Sequence, residues 1–163
     1  LTINEITNKQ ELYGFRTNDV SKNYEVVDLN GNSTTLKDLA EKRGFLLLDF
    51  WGTWCVPCKE LTPQLVNLNK KYSNKMQLAS LAFELDSKPV LEYTAKNKMN
   101  WYNGIIKGKP KSGDKSSPII SDLRIECYPT FIVLDSNLNI LFRKCGSGDN
   151  YLELEAFLSS ILE

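Results

Sequence analysis

Two cysteines, Cys55 and Cys58, stand at the join between an apolar run and a helical pattern, and this placement limits what the chain can fold into. Phe45-Leu46-Leu47-Leu48-Asp49-Phe50-Trp51 is apolar at almost every position, as expected of a parallel strand covered on both faces. Beyond the cysteines, Leu61, Leu65, Leu68 and Tyr72 recur on one helical face. The pair therefore opens a helix where a buried strand ends. Backbone N–H groups without intrahelical partners and the positive end of the helix dipole stabilise a thiolate at such a place. Thiol pKa values there fall from ~8.5 to between ~3.5 and ~7.5. Pro57 suits the first helical turn, whereas Pro63 removes an intrahelical hydrogen bond and is expected to kink the helix.

Composition closes off several function classes. The 163 residues, 42% apolar and 25% charged, suit one globular domain over 1–163 with a core of its own. Twenty basic side chains balance 20 acidic ones, so nothing points to nucleic acid or an anionic membrane surface. The absence of histidine removes Cys–His proteases and His-ligated metal sites. No apolar run approaches the ~20 residues that span a bilayer. The chain begins at Leu1 and reads as a processed or trimmed fragment whose signal or anchor would lie upstream.

Along the chain, residues 1–23 read as an arm packed on the domain edge. Glu25 to Leu29 and Asn32 to Thr35 read as strands around Asn30-Gly31, a tight turn with positive φ expected at both central residues. A short helix from Leu36 to Lys42 follows, with Gly44 as its C-cap. Met76 to Phe83 is the next strand, and Ser87 or Lys88 to Lys98 a helix. Asn100 to Pro118 is the least regular stretch, and its lysine-rich part, 107–117, reads as a solvated loop. Pro118 to Ile125 is a short helix, and Phe131 to Asp135 with Ile140 to Arg143 a hairpin. Asp149 is expected to cap a final helix carrying Leu154, Phe157, Leu158, Ile161 and Leu162 on one stripe. The order β-β-β-α-β-α-β-β-α indicates an α/β fold.

A lone CxxC also occurs in metal sites, but two motifs in order say more. Trp54-Cys55-Val56-Pro57-Cys58-Lys59 resembles the active site of the thioredoxin superfamily, and Tyr128-Pro129-Thr130 before an apolar strand resembles its cis-proline loop. The run from Phe50 to Pro63 is similar to the TlpA/ResA-type thiol–disulfide oxidoreductases, and the likeness covers residues 24–162. It implies a thioredoxin-like three-layer sandwich, a mixed central sheet flanked by helices, here with an N-terminal β-hairpin extension. It implies Cys55 as nucleophile, expected nearer solvent, and Cys58 as resolving thiol, with Val56 and Pro57 tuning the couple. Trp54, Val56, Pro57, Tyr128 and Pro129 would bind substrate, and Trp51 either shields the sulfurs with Trp54 or is purely core.

Asp49 is the polar exception in its strand, and burial raises a carboxyl pKa. It is a candidate to exchange a proton with Cys58, against the plainer reading of a hydrogen-bonded core aspartate. Glu84 and Asp86, at the end of the next strand, are candidates for a second acid. Cys127 and Cys145 read as free buried thiols rather than a bridge, because the expected hairpin register sets them diagonally, and rather than a third catalytic thiol, although Cys127 lies two residues before Pro129.

The resemblance further implies disulfide-bearing client proteins, a membrane thiol donor or thioredoxin-like reductant, no cofactor beyond the Cys55–Cys58 couple, and no bound metal. It implies a monomer in an extracytoplasmic or periplasmic compartment. The alternatives are a peroxiredoxin-like thiol peroxidase, a metal-handling module using all four cysteines, and a non-catalytic domain that only binds a partner.

Overall fold

The computed structural model describes residues 19–108 and 117–163. The arm as far as residue 18 and the lysine-rich stretch 109–116 lie outside the described residues. The elements are β1 (Glu25–Asp28), β2 (Ser33–Thr35), α1 (Leu36–Glu41), β3 (Phe45–Trp51), α2 (Val56–Tyr72), β4 (Gln77–Glu84), α3 (Lys88–Lys96), β5 (Tyr102–Lys107), α4 (Pro118–Asp122), β6 (Thr130–Asp135), β7 (Ile140–Cys145) and α5 (Asp149–Leu162).

Seven strands form one mixed sheet in the order β2-β1-β5-β4-β3-β6-β7. β3, β4 and β5 run parallel, while β1, β6 and β7 enter antiparallel to their neighbours. Alternation along β3 assigns the two faces. Leu46, Leu48 and Phe50 join a cluster with Leu36 and Leu39 of α1 and Ile119 and Ile120 of α4. Leu47 and Trp51 point the other way, into clusters built on α2, α3 and α5. Helices thus cover both faces, which is why β3 is apolar throughout except at Asp49.

Several expectations are corrected. β5 lies in the stretch expected to be irregular. Asn103 and Gly104 are poor strand formers, but β5 is held between β1 and β4, and a Cβ on Gly104 would come within 2.9 Å of the Val27 carbonyl oxygen. In the β1–β2 hairpin only Gly31 has positive φ (88°). Asp28 pairs with Asn32 across a three-residue loop, and its carboxylate accepts the Asn30 and Asn32 N–H groups. Those bonds hold the Asp28 carboxyl below its usual range. Gly148, not Asp149, is the N-cap of α5. α1 is capped by Thr35, whose hydroxyl accepts the Asp38 N–H at 3.2 Å. The last part of the arm docks on the β6–β7 hairpin through Val20 opposite Asn139.

Candidate functional site

Cys55 is the N-cap of α2: its backbone is extended (φ −95°, ψ 103°) and its Sγ accepts the Cys58 N–H at 3.3 Å. Pro57 falls in the first turn, where a missing N–H leaves no bond unmade. α2 then continues as one 17-residue helix with Pro63 on its exposed side. Cys55 and Cys58 are joined as a disulfide, their Cα atoms 5.3 Å apart. They are 5% and 4% exposed, so solvent access does not separate them as expected; their places at the helix mouth do.

The second motif meets the first. Tyr128-Pro129 is a cis peptide, and the Tyr128 ring stands edge-on to Trp54 at 4.9 Å and stacks on Phe83 at 6.2 Å. Trp54 is fixed by its indole N–H, which donates to the Phe83 carbonyl at 2.9 Å. Gly52 lies directly beneath that indole, where any Cβ would collide with the ring. Trp54 and Val56 are 41% and 59% exposed, giving an apolar surface beside the disulfide. Pro57 is exposed, Tyr128 half-buried and Pro129 buried. Burial pushes the Tyr128 phenol up to about 12, so it remains neutral. Trp51 is core, tilted against Tyr93 at 5.4 Å.

Asp49 is buried on the face that α2 covers, between Leu47 and Trp51 in the alternation of β3. Desolvation raises its carboxyl from 3.8 to about 7, against a smaller opposing effect of the Ser80 hydroxyl, which donates to Oδ2 at 2.7 Å. Glu84 and Asp86 part company. The Glu84 Oε1 accepts both the N–H and the hydroxyl of Thr53 at 2.5 Å, bracing the loop before Cys55. Asp86 is exposed and accepts the Lys88 N–H at 3.1 Å, at the start of α3.

Cys127 and Cys145 are bonded to each other, with Cα atoms 6.0 Å apart, and are not the free thiols expected. Cys145 is opposite Thr130 in the register, but Cys127 precedes β6 and turns back toward β7. The Thr130 hydroxyl donates to the Cys127 carbonyl at 2.6 Å, and the Gly146 N–H to the Pro129 carbonyl at 2.8 Å. The bridge thus ties the Tyr128-Pro129 loop to β7. Arg143 of β7 ties the same segment upstream, donating to the Leu123 and Arg124 carbonyls at 2.5 and 2.7 Å. Sequence reasoning missed Ser80 and Trp101 and set this pairing behind free thiols; Ser80 offered a signal, as a polar residue among the apolar ones in the middle of β4. Among the described residues no group of three or more Cys, Asp or Glu gathers to hold a metal, and no helix is long and apolar enough to cross a membrane.

Known proteins place this geometry. A thioredoxin-like family model matches residues 44–140. The thiol–disulfide oxidoreductase ResA of Bacillus cereus is 32% identical over 139 residues, covering 85% of this chain and 75% of that protein, and ResA of Bacillus anthracis matches equally. Among solved structures, the thioredoxin domain of a thiol–disulfide oxidoreductase from Bacteroides vulgatus superposes with TM-score 0.71 at 21% identity, over 88% of this chain and 98% of that one. A thiol:disulfide interchange protein from Bacteroides sp. does so with TM-score 0.74 at 20% identity, over 91% of each chain. These two speak for the fold; the ResA relatives speak for the chemistry of the cysteine pair, and with them the chain belongs to the thioredoxin-like family as a thiol–disulfide oxidoreductase.

Proposed function

We propose that this oxidoreductase reduces disulfides in client proteins of an extracytoplasmic compartment, acting as a monomer through a thioredoxin-like unit over residues 24–162. The observation that carries this reading is the placement of the Cys55 sulfur at the N-cap of α2, bonded to Cys58, beside the Trp54–Tyr128 contact. Reduced Cys55, as thiolate, attacks one sulfur of the client disulfide. A Cys55–client bond forms, and the other client sulfur leaves as a thiolate that takes a proton from water. Asp49 as carboxylate then accepts the Cys58 proton, and the Cys58 thiolate attacks the Cys55 sulfur. The second client thiolate leaves, the Cys55–Cys58 disulfide forms, and two electrons have passed to the client.

Trp54, Val56, Pro57 and the Tyr128-Pro129 backbone receive the client chain, which pairs in extended form along the loop. Glu84 acts through Thr53 on the approach to Cys55, and Asp86 has no part in the reaction. A membrane thiol donor or a thioredoxin-like reductant restores the dithiol, with no other cofactor. The Cys127–Cys145 bond supports an oxidising compartment, where such bonds persist.

The test is reduction of a disulfide-bonded protein by the reduced chain. Cys55→Ser should abolish it and Cys58→Ser should accumulate mixed disulfides; an active Cys55→Ser variant refutes the assignment. A reduction potential near ~−270 mV fits a reductase, and one near ~−120 mV an oxidant.

A further inference from the structure

Ser80 and Trp101 form a short chain of donors that ends on Asp49. Ser80 of β4 is paired in register with Asp49 of β3, which sets both side chains on the same face of the sheet. Its hydroxyl lies 2.7 Å from Asp49 Oδ2. On its other side, the Trp101 indole nitrogen lies 2.9 Å from the same Ser80 oxygen. An indole N–H can only donate. The Ser80 oxygen must therefore accept from Trp101, and its single proton is left for the carboxylate. Ser80 is fully buried, so no solvent competes for that proton. Trp101, half-buried at the entrance to β5, packs against both the cluster that holds Cys55 and Cys58 and the cluster under α2 and α5.

We propose that Ser80 and Trp101 are positioning residues for Asp49: the indole holds the Ser80 hydroxyl as a fixed donor to the carboxylate, and so sets the pH at which Asp49 can take the Cys58 proton. This rests on Asp49 being the proton acceptor. A hydroxyl locked as donor favours the ionised carboxylate over the acid, opposing the desolvation that raises it. Among the described residues, burial and the Ser80 hydroxyl are what act on the Asp49 carboxyl, with no cation beside them. Of the other charged groups on this side of the sheet, Lys59, Glu60, Lys70 and Lys71 of α2 and Lys88, Glu92 and Lys96 of α3 are exposed or half-buried on the outer sides of their helices. Tyr151 of α5 feels the Asp49 charge, and Glu155 lies beside Tyr151. Lys144 of β7 stands in the same row as Asp49 with Phe131 between them, and is paired with Glu153 of α5 at 2.9 Å. Tyr93 of α3 is turned to Thr62 and the Lys59 carbonyl. α2 buries Cys58 and, further along, Tyr72.

The test follows the Asp49 carboxyl by carbon NMR in the oxidised chain, together with the pH–rate profile for client reduction by the reduced chain. Ser80→Ala should move the carboxyl midpoint, and the acidic limb of the profile, up by about one pH unit. From a midpoint of about 7, that lowers the rate at pH 7 roughly five-fold. Trp101→Phe should move both in the same direction by less, and Ser80→Thr, which keeps the hydroxyl, should restore them. Unmoved midpoints in folded Ser80→Ala and Trp101→Phe protein, with the profile altered by Asp49→Asn, overturn the positioning role and leave the Asp49 role standing. A profile that Asp49→Asn leaves unchanged overturns both.

Discussion

Replacing Asp49 with asparagine should stabilise the protein, and by an amount that grows with pH. In an unfolded chain this carboxyl loses its proton near its ordinary value of 3.8, whereas in the fold, desolvated beneath α2, it holds the proton to about 7. The folded state thus binds the proton more tightly than the unfolded state. The stability this confers is fully present below pH 3.8 and is lost as the pH rises through 7. Each pH unit of the interval carries ~1.4 kcal/mol, so by pH 8 the fold has lost ~4 kcal/mol relative to acid. Asparagine does not ionise, and its carbonyl still accepts the Ser80 hydroxyl. The two proteins should therefore be nearly equal near pH 4 and diverge by ~4 kcal/mol by pH 8. Urea unfolding of the oxidised proteins across this range measures the gap without any contribution from cysteine protons. Groups such as Glu163, held down to about 2 by Ser159 and Lys71, are common to both proteins and cancel. A gap that stays constant from pH 4 to 8 would show that this carboxyl titrates alike in the folded and unfolded chain. The same variant should turn over clients more slowly, since an asparagine cannot take the Cys58 proton.

Two further predictions come from the loops around the disulfide. Replacing Cys127 and Cys145 together with serine opens a loop closed over a separation of 18 residues, and should lower stability by ~3 kcal/mol. Chemical unfolding reads this directly, and an unchanged midpoint with an unchanged slope would show that the bridge contributes nothing. Gly52→Ala sets a methyl group against the Trp54 indole and should break its bond to the Phe83 carbonyl. The loss of about 1 kcal/mol of positioning corresponds to a roughly five-fold fall in kcat/KM toward a protein client. Tryptophan fluorescence should report the displaced ring, and wild-type kinetics with a displaced ring would remove Trp54 from the client surface.

What could be read along the chain was whatever repeats or breaks over a few residues. The apolar run of β3, the helical stripe of Leu61, Leu65 and Leu68, and two cysteines at their join determined that a dithiol opens a helix, because strand and helix periods are local properties. Asp49 stood out for the same reason, as a charge where the period asks for an apolar side chain. Everything that joins distant segments was decided by the tertiary structure. β5 exists because β1 and β4 leave a gap that Gly104 is small enough to enter. Cys127 finds Cys145 because the chain turns back before β6, outside the register that the hairpin alone would suggest. Ser80 and Trp101 reach Asp49, and Tyr128 reaches Trp54, across neighbouring strands and loops. No local pattern encodes such meetings: they follow from which strands lie side by side in the sheet, and that order is set by the packing of both faces at once.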